Sequence, residues 1–386
     1  MIGIREFTNL KELRELEDTW NSVLQKSKDN NVFSTWEWLS LWWQYFGKES
    51  QLRVLVAQEG DEVLGIAPLM LSKCQGLNLG EFRRIEFIGT PEALTHSFIL
   101  LKNEKECLKI FLKYLMQQSD WDCIDLRGIY NDTVSAELLR QFFSGSHACK
   151  TTLPCCYLEL PDSTKELANV PSHLRRRRRS ELRRIMRSLR EKYEVEIKTY
   201  EDFSSIEEAM GVLFDLHLRR MRSKKVKSNL CDKTVRDFQI AVAKSFAEKG
   251  WLSLYFLTAN DKPVASIYSY NYGPKKQLFL TGFDPTFNLY SVGSQLWAHV
   301  IETSIEKGLK EVDFGYGYEL YKARWANKVR WTQEIQYVRK GFVATTYKLM
   351  NDLVYAGSRF MRRTDIVVVG RNSRLFRRKD RRDIAT

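Results

Sequence analysis

One pattern of strands and helices occurs twice in this chain, and this repeat restricts the possible folds most strongly. The stretches 52–72 and 251–272 each contain two apolar strands joined by a tight turn, LRVLVAQEGDEVLGIAPLMLS and WLSLYFLTANDKPVASIYSYNY. Each copy later has a helix that leads into an apolar strand with a central aspartate, Asp125 in WDCIDLRG and Asp313 in KEVDFGYG. The pattern predicts an α/β (α+β) fold made of two copies of one unit.

The repeat also predicts where the domains begin and end. A chain of 386 residues favours two domains, and we assign them to residues 1–165 and 166–345, followed by a C-terminal helix and basic tail at 346–386. The sequence has no apolar run of membrane-spanning length, and its N-terminus lacks a signal-peptide pattern. Its seven cysteines show no CxxC spacing. We therefore expect a reduced, cytoplasmic protein without disulfides or a metal site.

The net charge of +13 is concentrated in two places. Residues 172–192 carry ten basic side chains against two acidic ones, and residues 361–386 carry nine against three. Such segments suit RNA or an anionic membrane surface, and they are also typical of solvated helix faces and disordered tails. Within the first segment an apolar stripe offers a docking face to the rest of the protein; it comprises Leu174, Leu182, Ile185, Met186 and Leu189.

The segment 281–325 is the strongest candidate for a functional site. After a strand, a turn containing Ser291, Gly293 and Ser294 opens an amphipathic helix. Free backbone N–H groups and the helix dipole make such a start suitable for a phosphate, although a plain helix start with Ser291 as its cap has the same pattern. The next strand, EVDFGYG, is followed at once by ELYKARW. Chemistry often occurs at such strand ends.

The charged and aromatic cluster after that strand comprises Glu319, Tyr321, Lys322, Arg324 and Trp325. Lys322 is a cation suited to a phosphate or to a developing oxyanion, and Asp313 on the strand is a candidate base. A solvated loop anchored by a buried Trp325, with Asp313 bonded locally, is the alternative. His217 in LFDLHLRRMRSKK is a second candidate base, or a core histidine with satisfied hydrogen bonds.

The aromatic run FSTWEWLSLWWQYFG near the N-terminus divides between two helix faces. One face is expected to enter the core; it comprises Phe33, Trp36, Leu39, Trp43 and Phe46. The residues left over, Trp38, Trp42 and Tyr45, form a second face. We predict this face as a substrate-binding wall or as a contact between the domains, with Trp38 and Trp42 as the candidate binding residues.

Taken together, the aromatic run, HLRRRRRSELRR, LHLRR, GFDPTFNLYSVGSQL and EVDFGYGYELYKARW resemble the GNAT-type acyltransferases called CelD/BcsL or BioF2-like, relatives of the FemABX peptidyltransferases. The resemblance covers about residues 5–345. It implies two tandem GNAT-like domains, each a mixed, mostly antiparallel sheet flanked by helices. It also implies transfer of an acyl group from acetyl-CoA or another acyl-CoA, with no tightly bound cofactor. It further implies an amine or hydroxyl acceptor, such as a sugar, glycan or cell-envelope precursor.

The resemblance also implies where the donor lies. A functional lysine of the FemABX relatives corresponds to Lys322, with Tyr321 beside it. The expected donor contacts follow the strand and the helix start: Leu280, Gly282, Ser291, Val292, Gly293 and Ser294. Glu319, Arg324 and Trp325 are expected to contact the acceptor. The family's pyrophosphate loop reads Arg/Gln-x-x-Gly-x-Gly/Ala, whereas this chain has Tyr290 first and Gln295 last, so that only Gly293 matches.

That departure leaves two other functions open. A tRNA-dependent aminoacyl transferase of the FemABX type would use the basic segments to bind RNA, and its activity would fall steeply with salt. A non-catalytic module would bind a glycan or the inner face of an anionic membrane, and no acyl donor would shift its melting temperature.

Overall fold

The computed structural model describes residues 2–75, 81–144, 149–163 and 175–339. The strands in these ranges are β1 (Gly3–Phe7), β2 (Ser50–Glu59), β3 (Glu62–Gln75), β4 (Glu81–Phe87), β5 (Ile99–Leu100), β6 (Cys123–Tyr130), β7 (Cys149–Glu159), β8 (Val195–Thr199), β9 (Leu252–Ala259), β10 (Lys262–Tyr272), β11 (Lys275–Phe283), β12 (Glu311–Tyr316) and β13 (Lys328–Val338). The predicted C-terminal helix and basic tail lie outside the described residues.

Helices cover both faces of these strands. The α-helices in the same ranges are α1 (Leu10–Leu13), α2 (Glu17–Lys26), α3 (Trp36–Phe46), α4 (Glu104–Gln117), α5 (Val134–Phe142), α6 (Arg175–Arg190), α7 (Ile206–Ser223), α8 (Lys233–Glu248), α9 (Val292–Glu306) and α10 (Leu320–Trp325). None of the helices in the described part of the chain is both long enough and apolar enough to cross a bilayer.

All the strands belong to one sheet with the order β1-β2-β3-β4-β6-β13-β7-β12-β11-β10-β9-β8, and β5 pairs with β3 beside it. In each half an antiparallel series ends in a parallel pair, β4 with β6 in the first and β11 with β12 in the second. The two predicted copies of one α/β unit are therefore present, and the α/β prediction is confirmed.

The halves exchange their last strands. β13 pairs antiparallel with β6 of the first half, and β7 pairs antiparallel with β12 of the second. β7 and β13 also pair with each other at the centre of the sheet. The exchange joins both halves into one continuous sheet, because each half is completed by a strand from the other.

Each parallel pair opens into a gap between its strands. β11 and β12 pair from Lys275 with Glu311 as far as Gln277 with Asp313, while β11 continues to Phe283. The register between β10 and β11 shifts at the same level, beside Tyr268. Two neighbouring strands that stop pairing in mid-course leave backbone groups and space between them, which a ligand or another segment can occupy.

In the first half, the corresponding gap beyond the β4–β6 pairs is occupied by the chain itself. The backbone N–H of His96 donates to the carbonyl of Gly128 at 3.0 Å, and the His96 ring stacks on Phe87. Burial lowers the pKa of His96 to about 4, so this histidine is neutral at physiological pH. The N-terminal gap is thus filled by segment 88–98.

The second face of α3 forms a contact between the halves. Trp38 is fully buried, and its ring lies 5.2 Å from that of Phe238 on α8 and 5.7 Å from that of Phe279 on β11. Trp42 is also buried and donates its indole N–H to Glu92 at 2.7 Å. Trp38 thus forms the predicted contact between the halves, whereas Trp42 bonds within the first half. A role of either tryptophan in binding a substrate stays a prediction.

The basic helix α6 packs through the predicted apolar stripe. Leu182 and Leu189 are buried, and the side-chain amide of Gln295 on α9 donates to the Leu182 carbonyl at 2.8 Å. The opposite face exposes Arg183, Arg184, Arg187 and Arg190. The stripe fixes α6 beside the first turn of α9.

Lys276, at the start of β11, makes the stability of the fold depend on pH. Its buried ammonium group donates to Ser253 Oγ at 2.7 Å and to Asn271 Oδ1 at 2.6 Å, and burial lowers the pKa of Lys276 to about 7. Between about pH 7 and pH 10 the unfolded chain then binds more protons than the folded one, so the free energy of unfolding rises with pH. Urea denaturation at several pH values should show a rise of up to about 1 kcal/mol per pH unit.

Replacing Lys276 with methionine is expected to remove most of this dependence, whereas the exposed neighbour Lys275 offers a matched control. An equal pH slope in Lys276→Met and the wild type would show that Lys276 is not the group responsible.

Candidate active site

Helix α7 lies directly on β11 because Gly282 has no side chain. A Cβ atom at Gly282 would stand 2.5 Å from the backbone nitrogen of His217, closer than van der Waals radii allow. This approach lets the His217 ring bond the strand and a neighbouring segment, with Nδ1 at 2.9 Å from the Thr281 carbonyl and Nε2 at 3.1 Å from Ser228 Oγ. Burial lowers the pKa of His217. Both ring nitrogens have partners inside the protein, as the core alternative for this histidine requires.

Arg220, one turn further along α7, is the prominent residue that sequence reasoning missed. It is only 9% exposed, and its guanidinium group donates to the hydroxyl of Thr281. The guanidinium carbon lies 5.2 Å from the centre of the Phe283 ring and 5.7 Å from that of Tyr321. Its Nε–H is buried without a hydrogen-bond partner. A buried, unpaired donor on a charged group is costly unless a ligand satisfies it.

Further positive charge lies next to Arg220. Partial desolvation and the Arg220 charge lower the pKa of Lys224, while the charge of Glu319 opposes this shift. The end of α7 and the start of α10 are therefore close in space. The LHLRR motif was visible in the sequence, but periodicity does not show which of its arginines is buried.

Lys322 lies on α10, and its side chain contacts the end of β12. It is 7% exposed; its ammonium group donates to the carbonyl of Tyr316 and lies 3.0 Å from a carboxylate oxygen of Glu319. Tyr321 is partly buried, with its ring 6.2 Å from that of Trp297 on α9. These contacts account for two of the three N–H groups of Lys322.

The structure brings part of the ELYKARW cluster together. Glu319, Tyr321 and Lys322 gather near Arg220, as the contacts above show. Arg324 is exposed and Trp325 is partly buried against the core of the second half. The segment forms the short helix α10, whereas the alternative interpretation had a solvated loop here. A contact of Arg324 or Trp325 with an acceptor stays a prediction.

Asp313 lies in a buried network that joins the two halves. It is 2% exposed and accepts hydrogen bonds from the Tyr130 hydroxyl at 2.9 Å and from the Gly315 N–H at 2.7 Å. Arg330 of β13 forms an ion pair with it at 3.5 Å. Such bonds hold the carboxylate in place and provide it with hydrogen-bond donors. This arrangement agrees with the alternative in which Asp313 is bonded locally.

The predicted donor contacts follow one line along β11 to the start of α9. Leu280 and Gly282 lie on the strand, which runs into a short turn at Pro285–Tyr290. Ser291 then adopts a left-handed conformation with φ of 48°, and its carbonyl accepts the N–H groups of Ser294 and Gln295. Val292 is buried, whereas Gly293 is partly exposed. Ser291 caps α9 through its backbone, since its side chain makes no cap hydrogen bond.

The basic helix α6 ends beside this helix start. The ring of Tyr193, just beyond α6, lies 5.4 Å from that of Phe287 and 6.1 Å from that of Tyr290, and the Lys192 ammonium is 6.0 Å from the Tyr290 ring centre. Tyr290, which replaces the usual first residue of the phosphate loop, thus packs against other aromatic rings. The positive potential at this helix start comes from α6 and from the helix dipole.

Comparison with known proteins supports a GNAT-like fold. Residues 176–323, from α6 into α10, match the family model described as an acetyltransferase (GNAT) domain. The structure is similar to the crystal structure of FemX, with a TM-score of 0.60 and 11% identity over 90% of this chain and 99% of that one. It is also similar to L-PGS from Bacillus licheniformis, with a TM-score of 0.51 and 11% identity over 87% of this chain and 96% of that one.

No curated protein matches the chain by sequence. At such low identity the solved structures show a shared fold, which extends over nearly the whole described chain. The GNAT part of the predicted resemblance is confirmed for residues 176–323, and the likeness in fold to FemX extends over 90% of the chain. The narrower assignment to the CelD/BcsL-like proteins stays a prediction.

Proposed function

We propose that the protein transfers an acyl group from acyl-CoA, acetyl in the simplest case, to an amine or hydroxyl acceptor. The observation that carries this proposal is the gap between β11 and β12, which leads towards the start of α9 and lies beside Arg220, Tyr321 and Lys322. The GNAT match over the same segment supports it. The corresponding gap of the N-terminal half is filled, so we assign the reaction to the C-terminal half.

The donor would lie along β11. Its phosphates would bind at the turn formed by Ser291, Val292, Gly293 and Ser294, where the positive end of the helix dipole favours an anion. The thioester arm would follow Leu280 and Gly282 towards the floor of the gap. Acyl-CoA is a co-substrate in this account and is not a tightly bound cofactor.

The chemistry requires little more than alignment, because a thioester is already activated. The acceptor nitrogen or oxygen attacks the thioester carbonyl, its new bond to carbon forms, and the carbon–sulfur bond breaks. The proton lost by the acceptor passes through water and ends on the CoA thiol. Lys322 would donate its third N–H to the developing oxyanion, and Tyr321 would hold the acceptor. The side chains of His217 and Asp313 already have hydrogen-bond partners within the protein, so these residues would hold β11 and β12 in position.

The acceptor would carry an anionic group next to its nucleophile. The unpartnered Nε–H of Arg220 and the nearby Lys224 and Lys322 favour a phosphate or carboxylate. A phosphorylated or acidic sugar, a glycan or a cell-envelope precursor meets this requirement. Glu319, at the rim of the cluster, would accept a hydrogen bond from a hydroxyl or amine group of such a ligand.

Two measurements test the proposal. Acetyl-CoA at about 100 times its Kd should stabilise the protein by nearly 3 kcal/mol, which a thermal-shift series with several acyl-CoAs will detect. Release of free CoA thiol, measured with panels of amino sugars and sugar phosphates, should then identify the acceptor class. If no acyl-CoA changes the melting temperature, the acyl-CoA proposal fails; if charged tRNA does not change it either, a non-catalytic glycan- or membrane-binding module is favoured.

A second candidate is transfer of an aminoacyl group from tRNA. The exposed arginines of α6 beside the start of α9, together with Tyr290 and Gln295 in the phosphate loop, favour a larger polyanionic donor. Activity that requires charged tRNA and falls steeply between low and moderate salt would support it. Turnover with purified acetyl-CoA in the absence of RNA would show that charged tRNA is not required.

We further propose a cytoplasmic location with contact to the inner membrane face. The basic residues of α6 and of the tail at 361–386 would interact with anionic lipid, each contributing about 1 kcal/mol near the surface. Co-sedimentation with anionic liposomes would compare the full chain with one ending at Phe360. Equal binding by the two chains would remove the tail from this proposal.

A further inference from the structure

Leu94 reaches from the N-terminal half into the gap of the C-terminal half. A Cβ atom at Gly315 on β12 would stand 3.1 Å from Leu94 Cδ1 and 3.6 Å from the Leu278 carbonyl oxygen on β11. Leu278 is the first residue of β11 beyond the last pair with β12, Gln277 with Asp313. Leu94 therefore lies at the level where the two strands begin to separate, on the floor of the gap.

The segment that carries Leu94 is held firmly on both sides. Ala93 and Thr95 are buried, and the Ala93 N–H donates to the carbonyl of Gly89 at 2.9 Å. Two residues later His96 bonds Gly128, as described for the filled N-terminal gap. Leu94 is itself only partly buried. An apolar side chain on a fixed segment, at the closed end of a gap, is suited to set the depth of that gap.

The length of β11 relates this floor to the donor site. The strand from Leu278 to Phe283 spans about 17 Å, comparable with the reach of an extended phosphopantetheine arm. A donor whose phosphates bind at the start of α9 would thus bring its acyl end to Leu94. We infer that Leu94 closes the acyl end of the donor site and limits the length of the acyl group that the protein accepts. This inference rests on the proposed acyl-CoA donor.

The test compares donor binding, which needs no knowledge of the acceptor. Calorimetric titration would give Kd for acetyl-CoA, butanoyl-CoA and octanoyl-CoA with the wild type, Leu94→Ala, Leu94→Trp and the control Leu10→Ala. Leu10 is a partly buried leucine of α1, beside the edge strand β1. The wild type is expected to prefer the short donors. In Leu94→Ala the affinity for octanoyl-CoA relative to acetyl-CoA should rise by about tenfold or more, because each methylene group that enters the enlarged space increases the affinity severalfold.

Leu94→Trp should weaken butanoyl-CoA more than acetyl-CoA, and Leu10→Ala should keep the wild-type order of affinities. Circular dichroism melts would confirm that each variant is folded. The same relative affinities in Leu94→Ala as in the wild type would overturn the role of Leu94 while leaving the proposed function intact. Failure of the wild type to bind any acyl-CoA would overturn both.

Discussion

Replacing Lys322 with alanine is expected to reduce kcat by about 100-fold or more, with a smaller change in the donor KM. The reason is that Lys322 would donate to charge that develops only in the transition state, and loss of one such donor typically has an effect of about this size. The change also removes the bonds to Tyr316 and Glu319. The measurement is steady-state release of CoA thiol, with the melting temperature of the variant recorded in parallel.

Lys328→Ala is the matched control for this experiment. Lys328 is an exposed lysine whose ion pair with Glu159 lies at 3.4 Å, outside the candidate site. It should leave turnover close to the wild-type value. Full turnover in a stably folded Lys322→Ala protein would remove Lys322 from the mechanism.

Replacing Arg220 with methionine is expected to raise the acceptor KM by about 10-fold to 100-fold while kcat changes less. A hydrogen bond between charged groups contributes about 1.5–3 kcal/mol, which corresponds to this range. Methionine keeps much of the side-chain volume beside Phe283 and Tyr321, so the packing around the site should persist. The measurement is kcat and KM for an anionic acceptor and for its uncharged analogue.

The uncharged analogue provides the sharper comparison, because its KM should change little when Arg220 is replaced. Arg222→Met, on the exposed side of the same helix, controls for the loss of one positive charge. If the wild type and Arg220→Met discriminate equally between the two acceptors, Arg220 does not bind the anionic group.

Local patterns in the sequence predicted most of the individual elements. The hairpins 52–72 and 251–272 and the strand–turn–helix around Ser291 were found correctly, since their signals lie within a few neighbouring residues. The exchange of β7 and β13 was not predictable, because strand pairing between distant segments leaves no periodic trace in either of them.

The site was predictable in outline, and its chemistry was not. The pattern located Lys322 and the helix start correctly in the same half, but it did not distinguish Arg220 from the other arginines of α7. Arg220 differs from the other arginines of α7 in being buried, and its burial depends on the contact of α7 with β11 at Gly282. The surroundings of Asp313 likewise depend on Tyr130 and Arg330, both distant in sequence, and a role of Asp313 as base stays a prediction.

The central claim is that one acyl donor binds in the gap of the C-terminal half. Hydrogen–deuterium exchange with and without saturating acetyl-CoA tests it most directly, because bound ligand slows exchange of the amides that it covers or orders. We expect protection at residues 278–283 and 292–296, with no change at residues 81–87 of β4 beside the filled N-terminal gap. Protection confined to the N-terminal half, or none at a donor concentration that saturates binding, would contradict it.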